Sequence, residues 1–428
     1  MKHIALVSLG CPKNLVDSEY ICELFTKAGY SITQNTEDAD LVIVNTCSFL
    51  TSAVEESVNI MLEHSAVGKE VICTGCLVSR YGREILTELP EIRMFAGPGS
   101  YEKIVDAYES GEKYLPPYFG SVVKRSRFSG TASAYVKVSE GCSNRCNYCL
   151  IPAIRGELVS KPMDAVVEEC RSLAGNGAKE IILVAQDLGS YGNDLSLKEG
   201  LVRLVEKIST IKPLRWIRLM YVHPASLTKA VVDQIVDNEK VCPYIDLPIQ
   251  HVSEKVLKTM GRRGGGKAVR KAFELISHTP EEIWVRTSVM VGHPGEDDAA
   301  FGEIEQFIEQ GNIHHLGVFA YSPEQGTKSF SMQNMPDRRT ALKRKRRLMS
   351  LQQKVSKKRL HKLIGKEVEV LIEGFHPETD LLLRGRTSFQ APEVDGMVIV
   401  NEGGADAGVI KDVEITGSWE YDLIGRIV

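Results

Sequence analysis

The sequence Glu-Gly-Cys-Ser-Asn-Arg-Cys-Asn-Tyr-Cys, residues 140–149, contains three cysteines at the spacing C-x3-C-x2-C, directly after an apolar run at 135–138. Three thiolates in one short loop can hold a compact metal centre. Zinc would need a fourth ligand, and the next cysteine, Cys170, falls in a predicted helix. A four-iron cluster is the better interpretation, because with three thiolates it keeps one iron open to a small molecule. A degenerate zinc knuckle and three buried structural thiols are the alternatives.

Length and composition place the chain among ordinary globular proteins. Its 428 residues predict two to four domains, and 43% of them are hydrophobic and 25% charged. The first apolar run, residues 4–9, is too short for a signal peptide, and no run approaches the roughly 18 residues of a membrane span. We therefore expect a cytoplasmic protein with no membrane contact. In a reducing compartment its ten cysteines favour metal ligation over disulfides.

Residues 1–125 alternate strand and helix signals, which predicts a parallel sheet covered on both faces. A cysteine follows each of three β-branched runs: Cys11, Cys47 and Cys76 come after the runs at 4–7, 41–44 and 71–72. The carboxyl ends of parallel strands meet at one edge of a sheet, where ligands gather. These three thiols are therefore candidates for a second cluster.

The other cysteines have simpler interpretations. Small buried cysteines commonly end strands, which is the structural alternative for Cys11, Cys47 and Cys76, but it is implausible at three successive strand ends. Cys73 and Cys76 could also form a redox pair, but Cys73 lies inside the strand signal and is predicted to be core. For Cys22, Cys170 and Cys242, which have no partner in sequence, buried packing is expected.

Residues 126–358 follow a basic connector at 124–127 and repeat the alternation of strands and helices. Six strand signals separated by helical patterns predict a full or partial parallel barrel, with its active residues at the carboxyl ends of the strands. Polar residues and a glycine turn at these strands are Gln186, Asp187, His223, Gln250, His251, Arg286 and Gly292. Each alone is as often structural as ligand-binding. The glycines at 264–266 lack the context of a phosphate loop and are predicted to form a mobile loop.

The C-terminal segment, residues 359–428, follows a basic helical pattern at 338–362. Short alternating strands with turn signals predict a small antiparallel barrel of the OB type. Residues 366–428 carry 13 acidic and five basic side chains, a net charge of −8, so the other 365 residues carry +4. An acidic barrel repels nucleic acid and attracts a basic protein, such as a ribosomal protein. Improved solubility is the alternative explanation for the acidity.

The cysteine loop, with the aromatic Tyr148 before its last cysteine, resembles the radical S-adenosylmethionine (SAM) enzymes. In those enzymes the open iron binds the amino and carboxylate groups of SAM. Nearly the whole chain resembles the methylthiotransferases, which carry three earlier cysteines and a small C-terminal barrel. Matching stretches are Gln-Asp-x3-Tyr-Gly at 186–192, Val-Gly-x-Pro-Gly-Glu at 291–296 and Tyr-Ser-Pro-x2-Gly-Thr at 321–327. One departure is His293, where an aromatic or aliphatic residue is more usual.

The resemblance implies an α/β multidomain protein. Its parts would be an N-terminal parallel α/β domain with an auxiliary cluster (1–125), a radical SAM (β/α) partial barrel (126–358) and an OB-like TRAM β-barrel (359–428). Two 4Fe-4S clusters and SAM are the implied cofactors. The implied cluster ligands are Cys11, Cys47, Cys76, Cys142, Cys146 and Cys149. From their positions and the resemblance, the expected SAM contacts are Tyr148, Gln186, Gln250, Arg286 and Gly292.

The implied reaction inserts sulfur at an unreactive carbon, where acid–base chemistry is ineffective because the C–H bond has no accessible pKa. An electron, from a donor such as flavodoxin or ferredoxin, would enter the cluster at Cys142, Cys146 and Cys149 and cleave SAM to methionine and a 5′-deoxyadenosyl radical. This radical would take a hydrogen from the substrate. The carbon radical would then couple to sulfur on the auxiliary cluster, and a second SAM would supply the methyl group. The enzyme is expected to be a monomer.

Two positions favour one branch of the family. Residues 247–251 read Leu-Pro-Ile-Gln-His, where tRNA-modifying members usually read Leu-Pro-Val-Gln-Ser, and Glu324 stands where those members tend to carry arginine. Both resemble the branch that forms 3-methylthioaspartate at the β-carbon of an aspartate in the twelfth small-subunit ribosomal protein. Methylthiolation of tRNA adenosine is the less favoured alternative. A non-catalytic iron–sulfur scaffold is the alternative from another class.

Overall fold

The computed structural model describes residues 2–118 and 132–428. The basic connector at 124–127 and the predicted boundary between residues 125 and 126 lie outside the described residues. The predicted boundary between residues 358 and 359 falls in the last turn of a long helix, Arg338–Leu360.

The N-terminal domain is built on a sheet of six parallel strands. They are β1 (His3–Ser8), β2 (Ser31–Thr33), β3 (Leu41–Thr46), β4 (Glu70–Gly75), β5 (Met94–Ala96) and β6 (Tyr114–Leu115). Their order across the sheet is β2-β1-β3-β4-β5-β6. Strand β3 is buried along its whole length, as expected for a strand covered on both faces.

Among the described residues, five α-helices accompany this sheet. They are α1 (Pro12–Lys27), α2 (Thr51–Ala66), α3 (Cys76–Tyr81), α4 (Ile85–Glu88) and α5 (Ile104–Ser110). Alternate side chains of β3 pack on opposite faces of the sheet. Ile43 packs in one apolar cluster with α1 and α5, and Val42 packs in another with α2 and α3. The predicted sheet with both faces covered is confirmed.

The central domain contains a second sheet of six parallel strands, which confirms the predicted partial barrel. The strands of this domain are β7 (Ser133–Lys137), β8 (Ser139–Glu140), β9 (Val159–Ser160), β10 (Glu180–Val184), β11 (Trp216–Leu219), β12 (Val241–Asp246), β13 (Trp284–Val291) and β14 (His315–Ala320). The large sheet runs β14-β13-β12-β11-β10-β7, and β8 and β9 form a separate antiparallel pair.

In the part of the central domain that the structure describes, seven segments are α-helical. They are α6 (Ile151–Arg155), α7 (Met163–Gly175), α8 (Gly200–Ser209), α9 (Lys229–Asp237), α10 (Glu254–Thr259), α11 (Gly265–Ser277) and α12 (Asp298–Glu309). The prediction of a mobile loop at 264–266 is wrong, because α11 begins at Gly265. The Gly266 N–H donates to the Glu254 carboxylate at 2.8 Å, which gives the first turn of α11 a partner for an otherwise unpaired donor.

The helix α13 (Arg338–Leu360) leads into the C-terminal barrel. Five strands form this closed barrel: β15 (Glu367–His376), β16 (Thr379–Thr387), β17 (Val398–Glu402), β18 (Ile410–Ser418) and β19 (Leu423–Ile427). The predicted small barrel is confirmed. Its pairs are antiparallel except for β17 and β19, which run parallel.

The C-terminal barrel closes one end of the central barrel. Its loop between β16 and β17 lies against the amino-terminal ends of the central strands, where Glu180 accepts hydrogen bonds from Arg218 at 2.6 Å and from Arg386 at 2.7 Å. Helix α1 covers the interior from another side, because Val16 packs among the inward-facing apolar residues of the central strands. The carboxyl ends of the strands remain as the access route. In the described part of the chain, no helix is long and apolar enough to cross a membrane.

A candidate active site between the N-terminal sheet and the partial barrel

The cysteine loop at 142–149 follows β8 and ends at α6. Backbone bonds fix both sides of the loop: the Cys142 N–H donates to Gly156 O at 3.0 Å, and the Asn147 N–H donates to Met260 O at 2.8 Å. The three thiols lie close enough that Cys142 and Cys146 act electrostatically on Cys149, whose pKa is raised by burial to about 12. At neutral pH such a thiol ionises only beside a cation, as it would when ligating a metal.

The three N-terminal cysteines lie together at the carboxyl edge of their sheet. Cys11 precedes α1, Cys47 follows β3 and Cys76 begins α3. Burial raises the pKa of Cys76 to about 11, nearby Arg155 opposes that rise, and Cys11 and Cys47 add to it. The predicted convergence of these three cysteines at one edge of the sheet is therefore observed. That these cysteines ligate a cluster stays a prediction.

Both cysteine sets have the donor chemistry of an iron–sulfur site. Within residues 2–118 and 132–428, no three cysteine, histidine or carboxylate side chains converge as a ready site for a single metal ion. A cube of four irons and four sulfides spreads its thiolates more widely than one ion does, and three thiolates ligate three of its irons and leave the fourth open. The remaining cysteines, Cys22, Cys73, Cys170 and Cys242, are buried, as packing residues should be.

A cavity of about 1320 Å³ is lined by all three cysteines of the central loop and by Cys11 of the N-terminal set. The N-terminal domain supplies Cys11 and residues 49–52, and the central barrel supplies the cysteine loop and the ends of several strands. The start of α13 forms a third wall. Four of the five predicted SAM contacts line this cavity: Tyr148, Gln186, Gln250 and Gly292. The volume suits a ligand as large as SAM together with part of a substrate.

Three polar atoms in the cavity wall have no hydrogen-bond partner among the described residues. They are Gln186 Oε1, His223 Nε2 and Arg262 Nε. A buried polar group without a partner is costly, and native proteins keep such groups where a ligand or water completes the bond. The cavity therefore fits a polar cofactor such as SAM.

Gly292 has a structural reason to be glycine. A Cβ added there would lie 2.6 Å from the Cβ of Ala341, so the glycine lets α13 pack directly on the end of β13. The Gly292 N–H donates to Glu296 at 2.8 Å, and Glu296 forms an ion pair with Arg344 of α13 at 2.6 Å. The turn thus holds α13 beside the cavity.

Arg286 lies apart from the other predicted SAM contacts. It is absent from the cavity wall, and its guanidinium forms an ion pair with Asp395 of the C-terminal barrel at 2.7 Å. The side chain points into the barrel interior as its place in β13 suggests, but near the closed end. Arg286 therefore joins two domains, and a contact with SAM has no support in this geometry.

The sequence analysis missed a buried charge network between the two cysteine sets. Arg155 donates to the Cys76 thiol at 3.2 Å, to Asp17 at 2.9 Å and to Glu140 at 3.2 Å. Lys137 pairs with Glu140 at 2.6 Å and also contacts Asp17. The available signal was an arginine directly after the cysteine loop, in a short helix that is otherwise apolar.

Family models match most of the chain. The uncharacterized protein family UPF0004 matches residues 3–97, the radical SAM superfamily matches 136–308 and the TRAM domain matches 364–428. Curated relatives match along its full length. The ribosomal protein uS12 methylthiotransferase RimO of Geotalea uraniireducens is 42% identical, and the match covers 99% of this chain and 98% of the relative. The corresponding protein of Aquifex aeolicus is 41% identical over 99% of this chain and 96% of its own length.

The chain belongs to the RimO family of radical SAM methylthiotransferases.

Solved radical SAM structures share the RimO chain's fold. The methyltransferase TsrM from Kitasatospora setae, with cobalamin and a [4Fe-4S] cluster bound, has a TM-score of 0.57 at 15% identity and matches 75% of each chain. The cobalamin-dependent enzyme OxsB, with aqua-cobalamin and SAM bound, has a TM-score of 0.51 at 11% identity and matches 77% of this chain and 54% of its own. At these identities the likeness concerns the fold alone.

Glu324, one of the two positions that favoured this branch, has a structural role in the RimO chain. Its carboxylate accepts hydrogen bonds from the Thr51 N–H at 3.0 Å and hydroxyl at 2.9 Å, and from Arg80 at 3.0 Å. Burial alone would raise the pKa of Glu324, but these donors lower it. Glu324 thus ties the central barrel to the start of α2, and an arginine in its place would face Arg80.

His293, the departure from the family pattern, is fully buried beside the site. Its ring lies edge-on to Tyr148 and Tyr321, with centroids 6.2 and 5.0 Å away, and its Nε2 bonds with the Ser329 hydroxyl at 3.0 Å. Burial lowers the pKa of His293 to about 4, so the ring is neutral at physiological pH. A neutral ring packs here as the more usual aromatic residue would.

Proposed function

We propose that the chain inserts sulfur and a methyl group at the β-carbon of an aspartate of ribosomal protein uS12, using two 4Fe-4S clusters and SAM. One observation carries the proposal: a single cavity is lined by Cys11 of the N-terminal set and by all three cysteines of the central loop. Sulfur delivery and hydrogen removal must meet at one substrate carbon, and this cavity gives both centres access to it. The relatives' name supplies the substrate.

In this proposal Cys142, Cys146 and Cys149 hold the SAM-binding cluster, and Cys11, Cys47 and Cys76 hold the auxiliary cluster. When bound, the clusters and SAM supply the radical and sulfur chemistry that a C–H bond without an accessible pKa requires. The chain's own contribution is to hold the clusters, to orient SAM and the substrate, and to shield them from water.

The unpartnered polar atoms of the cavity wall are the proposed SAM contacts. His223 accepts a hydrogen bond from the Ala225 N–H on Nδ1 at 3.1 Å, so the neutral ring carries its proton on Nε2 and can donate. Gln186 donates to Glu140 at 3.0 Å through its amide nitrogen, which leaves Oε1 as an acceptor. Together they offer one donor and one acceptor to the polar groups of SAM.

The mouth of the cavity is the proposed entrance for the substrate. Four cavity-lining apolar side chains are more than a third exposed there: Leu50, Phe319, Met335 and Leu342. Contiguous exposed apolar surface marks interaction sites on soluble domains. Arg338 and Lys345 of α13 also line the cavity and are the cations proposed to meet the substrate's aspartate carboxylate.

The acidic C-terminal barrel is the proposed attractant for a basic partner. Along the pairing of β15 with β18, Glu367 lies opposite Glu414 and Glu369 lies opposite Asp412. Arg426 pairs with Glu414 at 2.8 Å and Arg215 pairs with Glu369 at 2.7 Å. Among the described residues Glu367 and Asp412 form no ion pair, and as exposed side chains they supply the negative charge proposed to attract the partner. The same field opposes tRNA. Glu373 does not belong to this surface charge, because it pairs with buried Arg386 at 2.7 Å.

The remaining expectations follow from the same proposal. The substrate is a ribosomal protein, so we place the activity in the cytoplasm. Reduction would use a small electron carrier such as flavodoxin or ferredoxin, and the enzyme would act as a monomer.

Iron and sulfide analysis after anaerobic reconstitution tests the cluster assignment. Replacing Cys142, Cys146 and Cys149 by alanine should remove about half the iron and abolish reductive cleavage of SAM. The triple replacement of Cys11, Cys47 and Cys76 should remove the other half and leave SAM cleavage intact. Cys73→Ser is the matched control and should change neither, because Cys73 is buried inside β4.

A competition between substrates tests the assignment of the partner. The enzyme is given uS12 within the small subunit and tRNA in one reaction, and each product is analysed for the methylthio group. Modification of uS12 alone is expected. Modification of tRNA alone would establish the other branch, and absence of 5′-deoxyadenosine with both clusters loaded would favour the scaffold.

A further inference from the structure

Arg155 occupies an unusual place for an arginine, because it is 2% exposed at the end of α6 and lies between the two cysteine sets. Its Nε–H donates to the Cys76 sulfur at 3.2 Å. Its other nitrogens donate to Asp17 at 2.9 Å, to Glu140 at 3.2 Å and to Asn14 at 2.5 Å. The guanidinium is therefore held in one orientation by groups from two domains.

The charges around Arg155 balance before any thiolate is counted. Asp17 and Glu140 are the two anions, and Lys137 and Arg155 are the two cations in contact with them. A thiolate at Cys76 adds a further negative charge. The Arg155 N–H is directed at that charge, and a hydrogen bond to an ionised acceptor is stronger than one between neutral groups.

The network also reaches the second cysteine set through the backbone. Glu140, which pairs with Arg155, lies two residues before Cys142 and accepts a hydrogen bond from the Gly141 N–H at 3.3 Å. The residue after Arg155, Gly156, accepts the bond from the Cys142 N–H at 3.0 Å. A shift of Arg155 would thus displace the loop that begins at Cys142.

We propose that Arg155 is a positioning residue for the auxiliary cluster: its Nε–H donates to the Cys76 ligand and raises that cluster's reduction potential. This inference rests on the proposed cluster at Cys11, Cys47 and Cys76. Hydrogen bonds to ligating sulfur and nearby positive charge both stabilise the reduced cluster, which carries one more electron. Arg155 thereby sets the auxiliary cluster's potential and fixes its place against the SAM-binding loop.

The first test leaves Arg155 unchanged. In a protein with Cys142, Cys146 and Cys149 replaced by alanine, the auxiliary cluster is the single proposed paramagnetic centre. Arginine labelled with 15N is incorporated, the cluster is reduced, and electron–nuclear double resonance is recorded. A 15N coupling from arginine is expected. A loaded cluster without such a coupling would overturn the inference alone, whereas a protein that binds no iron would remove the proposed cluster and the inference with it.

The second test measures the auxiliary cluster's potential in the same background. Arg155→Lys keeps the charge and loses the planar donor, and Arg155→Met loses both. The reduction equilibrium should become at least about tenfold less favourable in the methionine variant, which is about 59 mV for one electron, with the lysine variant between. Unchanged potentials in both variants would contradict the inference. If either variant fails to bind iron, the coupling measurement on the unchanged residue decides.

Arg80→Lys is the matched control for the potential measurement. Arg80 is also largely buried beside the N-terminal cysteines, but it donates to Ser48 O at 2.7 Å and to Glu324 at 3.0 Å. A change there should leave the potential within error of the parent protein. An equal shift in the Arg80 and Arg155 variants would show a general loss of packing and would overturn the specific role of Arg155.

Discussion

Phe389 of the C-terminal barrel stacks on Trp284 of the central barrel, with ring centroids 4.2 Å apart and an angle of 21° between the rings. Trp284 begins β13, so the contact lies at the end of the partial barrel opposite the cavity. The neighbouring backbone takes part as well, because the Phe389 carbonyl bonds with His315 Nε2 at 2.9 Å. The loop at 388–397 is therefore the floor of the central domain.

Phe389→Ala should destabilise the whole protein. The change removes a buried aromatic ring and leaves a cavity against Trp284, a loss of about 3–5 kcal/mol in the free energy of unfolding. Urea unfolding followed by tryptophan fluorescence measures it. Phe375→Ala, in the same domain but 59% exposed, is the control and should cost less than about 1 kcal/mol. Equal losses in the two variants would show that the contact between Phe389 and Trp284 does not contribute to stability.

Glu180→Gln should alter the acid dependence of stability. Burial alone would raise the pKa of Glu180, but Arg218 and Arg386 lower it to about 2. The ionised carboxylate therefore stabilises the folded state above its ordinary pKa of about 4.3, and this contribution declines as the pH falls towards 2. The glutamine variant should lose about 3–5 kcal/mol at pH 7, because buried Arg218 loses its carboxylate and Arg386 keeps only that of Glu373. Its stability should also depend less on pH below about 4.3.

Urea unfolding at several pH values between 3 and 7 measures this effect. Glu414→Gln is the control, because Glu414 pairs with Arg426 at 2.8 Å on the exposed surface of the barrel. Its loss should stay within about 1 kcal/mol. If the free energy of unfolding falls by the same amount between pH 7 and 3 in the wild type and in the Glu180 variant, other carboxylates set the stability in acid.

Much of the fold was predictable because its signals are local. Buried β-branched runs at 41–44 and 181–184 mark parallel strands, and helical periods between them require crossovers. The arrangement of domains was not predictable in the same way. The sequence placed Arg286 in a strand of the barrel and predicted a SAM contact, but the partner that holds it at the closed end is Asp395, 109 residues later.

The candidate site shows the same division. Cysteines at three strand ends converge because parallel strands share an edge, so their proximity follows from local patterns. Arg155 and Glu324 act through partners far along the chain: Arg155 bonds with Asp17 across 138 residues, and Glu324 bonds with Thr51 across 273. Such contacts have no periodicity to reveal them.

Gly10→Ala should impair the auxiliary cluster. An added Cβ would lie 2.8 Å from the Cβ of Cys47, so Cys47 would have to move. Gly29 is a matched control: it has φ of +91° against +92° for Gly10, and an added Cβ there would meet nothing within 4 Å. In both variants the free energy of unfolding should fall by about 1–2 kcal/mol, because alanine is disfavoured in the left-handed backbone conformation. The Gly10 variant alone should also lose up to about half its iron, measured after reconstitution.

His223→Asn should weaken SAM binding about tenfold, the equivalent of one good hydrogen bond. Asparagine can keep the acceptor for the Ala225 N–H and removes the Nε2 donor. Burial and then Arg262 lower the pKa of His223 to about 3, so its ring is neutral from pH 5 to 9 and should add no pH dependence to binding in that range.

Isothermal titration calorimetry of the reconstituted protein under anaerobic conditions measures the SAM affinity. His278→Asn is the control, since His278 is exposed on the outside of the barrel. An unchanged affinity in the His223 variant would remove this residue from the proposed SAM contacts. An affinity that falls between pH 7 and 5 in the wild type but not in the variant would contradict the neutral ring.

The double change Glu367→Lys and Asp412→Lys should separate folding from binding. Each substituted side chain would lie opposite an acid, Glu414 or Glu369, so the barrel should gain up to about 1 kcal/mol. Association with basic uS12 should nevertheless slow at low salt, and the difference should shrink as salt rises. Stopped-flow binding measures the rate, and SAM cleavage without substrate should stay unchanged.

The pair Glu206→Lys and Asp237→Lys makes the same change in net charge at exposed positions on α8 and α9. Because these helices lie outside the acidic barrel, association should slow less. Equal slowing by both pairs would assign the attraction to the net charge of the whole protein. Faster binding of tRNA by the barrel variant alone would further support the barrel as the element that discriminates between substrates.

The floor formed by residues 388–397 restricts how this architecture can be recombined. A recognition module attached by a linker can be grafted onto another enzyme, but here a loop of the C-terminal domain supplies Phe389 and Asp395 to the inside of the central one. A hybrid that takes its C-terminal domain from a relative with another substrate would pack a different 388–397 loop against the strands of its central domain. Retargeting must therefore preserve the native floor loop and confine its changes to the outer face of the small barrel.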